Sequence, residues 1–178
     1  MKKSKKFIAV ALTGAMLMAG ISSVSAEEKG TDVTITTEAA TMNVTVPSTM
    51  PMTFKADGTN AYATNFTIEN NSALGDIYLS NAAVTAKGDW TLSPEGTDFT
   101  SVAANSKTIE FTINNKVVTP AGGVEAASGE VSYDADSFVV TNKSTKDLTY
   151  SAKRAAFTEV LSDESAYTVT LTFDFVAE

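Results

Sequence analysis

The chain contains no cysteine and no histidine. Without cysteine there is no disulfide to staple the fold, no thiolate nucleophile and no thiol to lipidate, so a lipoprotein is not expected. Without histidine the commonest general base and the commonest metal ligand are both missing. Ser-His-Asp triads, cysteine nucleophiles and histidine-based zinc sites are therefore excluded. There is a single tryptophan, no Leu-Pro-x-Thr-Gly sorting signal and no apolar C-terminal tail. Any attachment to a cell is expected to be non-covalent or by assembly.

Positive charge is scarce outside the first residues. Lys2, Lys3, Lys5 and Lys6 precede an uncharged, mostly apolar stretch from Phe7 to Gly20, and Val24-Ser25-Ala26 follows. This is the three-part layout of a secretory signal peptide, 1–26, with cleavage expected between Ala26 and Glu27. The apolar run is shorter than the roughly 20 residues of a membrane span, so no transmembrane anchor is expected after cleavage. The remaining residues, 27–178, are the size of one domain. They keep 13 − 4 = 9 Lys+Arg against 21 Asp+Glu, a net charge of −12. An acidic chain without a basic cluster repels phosphate, which excludes nucleic acid as a partner.

What is abundant is alternation of apolar and polar residues, the period of a half-buried strand. Tyr167, Val169, Leu171, Phe173 and Phe175 share one face of a C-terminal run. Thr168, Thr170, Thr172 and Asp174 share the other. This run is expected to be an interior strand. Shorter strands are expected at Val33–Ile35, Met42–Val46, Met52–Phe54, Phe66–Ile68, Ile77–Leu79, Trp90–Leu92, Ile109–Ile113 and Ser137–Val140. Turn formers such as Asp57-Gly58, Asn70-Asn71-Ser72, Lys87-Gly88-Asp89 and Asn114-Asn115 separate them. The expected fold is all-β, an antiparallel β-sandwich of Greek-key, immunoglobulin-like or jelly-roll type. Pro120–Gly129 reads as a long loop, and Lys153–Leu161 as the one stretch able to form a short helix, a strand being nearly as favourable there.

No catalytic residue, cofactor or metal ligand emerges. Carboxylate pairs alone can run glycoside hydrolysis, but the acids sit singly in turns. Asp134-Ala135-Asp136-Ser137 and Lys55–Asn60 offer closely spaced oxygens without matching an EF-hand loop. Asp and Asn are equally what tight turns require. Trp90, just after the Gly88-Asp89 turn and two residues before Leu92, reads as a core tryptophan.

Gly88-x-Trp90-Thr91-Leu92, with Asp98-Phe99-Thr100 after it and the closing Tyr167–Phe175 run, resembles the WxL domain. That family comprises exported surface proteins of low-GC Gram-positive bacteria, held non-covalently to the cell wall. The resemblance makes Trp90, Leu92, Phe173 and Phe175 the motif positions, with Phe173-Asp174-Phe175 replacing a second Trp-x-Leu. It implies a secreted, non-catalytic protein at the cell surface, with a cell-wall polymer or another surface protein as partner. The alternative is a structural subunit of an extracellular fibre or biofilm matrix, self-assembling by strand addition, with residues 32–46 as donor. A secreted carboxylate-dependent hydrolase is the third reading.

Overall fold

A computed structural model describes residues 41–55, 58–159 and 165–177. The signal peptide and its Ala26–Glu27 junction, Val33–Ile35, Asp57 and residues 160–164 lie outside them. The fold below is that of the unit Glu38–Glu178.

Its regular elements are β-strands: β1 (Val44–Thr45), β2 (Met52–Phe54), β3 (Asn60–Tyr62), β4 (Thr67–Asn70), β5 (Ile77–Ala86), β6 (Thr91–Leu92) and β7 (Thr108–Ile113). They continue with β8 (Lys116–Val117), β9 (Thr119–Pro120), β10 (Ser128–Ser132), β11 (Val139–Val140), β12 (Thr145–Asp147), β13 (Tyr150–Arg154) and β14 (Tyr167–Phe175). One 3₁₀ turn, Ala121–Gly123, is added. The all-β architecture expected from the alternation is present.

One sheet is built around β5. β14 lies antiparallel along one side of it, β10 and β11 along the other, and β9 beyond β10. The rest comprises β1-β4-β12, β13-β7-β6 with β8 also on β7, and the β2-β3 hairpin. Leu148 N donates to Phe66 O, and Asn114 N to Thr149 O, so the β4 and β7 ladders join along Thr145–Arg154. Among the described strands only β6 and β7 pair in parallel. The core lies between, formed by Ile77, Leu79, Ala82 and Val84 of β5 and by Ile68, Ile109, Phe111 and Ile113, all nearly or fully buried.

Phase explains the long β5. Its apolar alternation breaks at Ser80-Asn81, both half-exposed, and there the register slips: Thr172 pairs with Asn81 but Phe173 with Leu79. A bulge carries one extra residue and returns Ala82 and Val84 to the core side. The strand read from sequence as Ile77–Leu79 therefore runs on to Ala86. Asn114 and Asn115, both at positive φ (45° and 62°), make the tight β7–β8 turn that the Asn-Asn pair favours.

Two expectations are corrected, and one open alternative is decided. Among the described residues the C-terminal strand is an edge strand, paired with β5 alone, and its apolar residues are half-buried. Alternation reports that one face is covered; it carries no information on how many neighbours a strand has. The Pro120–Gly129 loop is partly strand, because β10 begins at Ser128 and pairs with both β5 and β9. Gly129 permits this: a Cβ there would lie 2.6 Å from Thr119 O. Lys153–Leu161 starts as strand β13, with Ala152 opposite Phe111, and Ala155–Glu159 is not helical. Ladder pairing with β7 overrides the local helix preference.

Candidate functional site

Of the motif positions, Trp90 and Leu92 come to rest in the interior, while Phe173 and Phe175 are half-buried. Trp90 is 4% exposed and Leu92 fully buried. The indole lies in an aromatic cluster with Tyr167 at 5.6 Å and Phe54 and Phe157 each at 6.2 Å between ring centroids. The Lys107 ammonium sits 5.9 Å from the indole centroid, and the Arg154 guanidinium 4.7 Å from that of Phe54. Tyr167 closes the cluster by donating its hydroxyl to Thr91 O at 2.9 Å. Burial, with Glu125 adding to it, pushes this phenol well above its ordinary pKa.

Phe173 and Phe175 stand at the other end of β14, roughly 20 Å away at a strand's rise per residue. Phe175 packs on Gly75, where a Cβ would approach its ring to 3.1 Å. The fold therefore brings Trp90 to the start of the C-terminal run and not to its Phe-x-Phe end. Tyr167 heads the closing run that carries the resemblance but is not one of its motif positions, and it is the ring of that run that meets Trp90.

The acids do not converge. Glu110 is fully buried, with Oε2 accepting from Gly96 N at 2.6 Å and Oε1 from Lys153 Nζ at 2.5 Å. That bond, together with the carboxylate's charge, raises the Lys153 pKa. Asp98 accepts from the hydroxyl and backbone N–H of Thr100 at 2.6 and 3.0 Å, which lowers its pKa and marks it as a turn former. Asp134 is exposed and 3.8 Å from Lys116 Nζ. Among the described residues no three His, Cys, Asp or Glu side chains gather around a point where a metal could sit.

A different feature is presented to solvent. The polar face of β14 continues across β5 and β10 in cross-strand rows: Thr168–Thr85–Ser128, Thr170–Ala83–Glu130 and Thr172–Asn81–Ser132. Outer members of these rows are exposed. Strands lie about 4.8 Å apart and every second residue is about 6.7 Å further on, so the hydroxyls form a lattice in which these three rows bear one charge, Glu130. Asn81 Nδ2 reaches Ser132 Oγ at 3.4 Å, and a fourth row ends it with Asp174–Tyr78–Val139. Beside it an open groove of about 740 Å³ runs between β10 and the Pro120–Gly123 turn, lined by Thr85, Thr119, Gly122 and Ser128 among others. Hydroxyls both donate and accept, which suits a ligand rich in hydroxyl or amide groups.

No family model, curated protein or solved structure matches the chain.

Proposed function

We propose that the chain is an exported, non-catalytic surface protein that holds non-covalently to a polymer of the cell envelope through the outer face of the β5 sheet. The carrying observation is the hydroxyl lattice Thr168–Thr85–Ser128, Thr170–Ala83–Glu130 and Thr172–Asn81–Ser132, with its adjoining groove. A glycan or peptidoglycan offers the matching donors and acceptors, and a nearly uncharged face does not repel it. The signal-peptide layout supports export, and the resemblance to the WxL domain supports the wall as partner. Trp90 is committed to the core, so this reading assigns the contact to the polar sheet face. Among the described residues Glu110 is the one fully buried carboxylate, and both its oxygens are occupied, which weighs against a carboxylate-dependent hydrolase.

The experiment is co-sedimentation of the secreted protein with purified cell-wall sacculi. The wild type is expected in the pellet with a mass that begins at Glu27. The Thr85→Glu/Ser128→Glu variant is expected in the supernatant with an unchanged Tm, both side chains being exposed. Equal sedimentation of the two proteins would remove this face as the site. Failure of the wild type to sediment would remove the function itself.

A further inference from the structure

The β14 edge is the second unassigned surface. Lys87 N donates to Ala166 O, and Val176 N to Asp76 O, while Thr168, Thr170 and Asp174 stand opposite Thr85, Ala83 and Tyr78. The even-numbered residues therefore direct their backbone groups toward β5. In an antiparallel ladder the alternate residues face the other way. Tyr167, Val169, Leu171, Phe173 and Phe175 accordingly point their N–H and C=O groups away from the sheet, and no described strand receives them.

Edge strands are normally short, or are defended by lysine, proline or a bulge in the edge itself. β14 is nine residues long, has no lysine or proline, and carries one charge, Asp174; the extra residue of its irregularity belongs to β5. Its inward side chains are also incompletely covered. Val169, Leu171 and Phe173 are half-buried, while Leu79, Ala82 and Val84 beside them on β5 are at most 1% exposed.

We propose that this edge pairs with β14 of a second copy of the chain, antiparallel across a twofold axis at Leu171. The strand is self-complementary in that register: Leu171 meets Leu171, Val169 meets Phe173, and Tyr167 meets Phe175, all residues whose backbone groups point outward. The pairing supplies up to about ten main-chain hydrogen bonds and sets apolar and aromatic side chains directly opposite one another, the pairs that stabilise sheets. On the other face Thr170 meets Thr172, and Asp174 meets Thr168 and not a second Asp174. No like charges oppose each other. The two β5 sheets become one, and the hydroxyl lattice doubles in width. A twofold contact of this kind is closed, so it yields a dimer and not a fibre.

The test uses the full secreted protein in sedimentation velocity over a concentration series. The wild type is expected to dimerise, and Thr170→Lys/Thr172→Lys to raise the dissociation constant by about tenfold or more, like charges opposite each other being unfavourable. Its Tm at low concentration should be unchanged, both positions being exposed. Thr170→Glu/Thr172→Glu should dissociate likewise, and mixing the two variants should restore a heterodimer. Because the chain has no cysteine, Thr170→Cys and Thr172→Cys read the register. The mixture should form a disulfide-linked pair in preference to either variant alone. A monomeric wild type, filaments in place of dimers, or dimers indifferent to the lysines would overturn the proposal. Thr85→Glu/Ser128→Glu should leave the dimer intact, so failure of the edge and failure of the polymer-binding face are separately visible.

Discussion

Glu110 and Lys153 are directly opposite each other on β7 and β13, and their side chains meet at 2.5 Å although the carboxylate is fully buried and the lysine side chain is 68% exposed. A carboxylate on the polar face of a strand would ordinarily be solvated. Here the Ser93–Lys107 segment passes over that face, and Gly96 supplies a backbone N–H to the second oxygen.

Removing the carboxylate takes away the acceptor of that N–H and the partner of Lys153. Glu110→Ala should therefore destabilise by about 1–3 kcal/mol, the cost of an unmade buried hydrogen bond. Lys153→Met leaves a buried carboxylate without its cation and should lower Tm more than Lys87→Met, whose partner Ser165 is uncharged. Urea denaturation of the variants is the check; equal midpoints for the two lysine variants would refute the pairing.

Trp90 is held by three rings and is 4% exposed. Trp90→Ala should cost about 3–5 kcal/mol, as large core truncations do. As the single tryptophan it also makes fluorescence a clean readout: emission should be blue-shifted and poorly quenched by acrylamide in the native chain. A red, easily quenched emission would place it on the surface.

Three tyrosines should make the fold sensitive to alkali. Tyr133 donates to Ile113 O at 2.7 Å and Tyr150 to Pro51 O at 2.6 Å, and burial raises the pKa of both, as it does for Tyr167. A raised pKa means that the fold prefers the neutral phenol. The stabilisation is complete below the unfolded value of about 10 and is lost as the pH climbs above it toward the folded values. Unfolding free energy measured across that range should fall, and Tyr133→Phe should shallow the slope. A flat profile above pH 10 would contradict the burial.

Asp134 and Asp136 flank an exposed turn in which Ser137 N donates to Asp134 O. Exchanging EDTA for millimolar calcium should leave Tm unchanged, as expected where carboxylates serve a turn. A shift of several degrees would assign a calcium site there.

The sequence by itself determined the class of fold. Period-2 alternation, Thr/Val/Tyr/Phe-rich runs and Asn/Gly turns constrain the backbone locally, and β2, β4, β7 and β14 follow them closely. It also placed Trp90 in the core, because a large apolar side chain beside Leu92 has no better surrounding. Which strand meets which was decided by tertiary structure alone. Among the described residues β14 lies at an edge, and Glu110 is covered by the loop that leads into its own strand. Gly129 opens a passage for β9, and residues far apart in the chain align into the Thr168–Thr85–Ser128 row. Each of these depends on contact between separate segments of the chain, where the controlling terms are register and backbone approach. Neither leaves a periodic trace in a single strand.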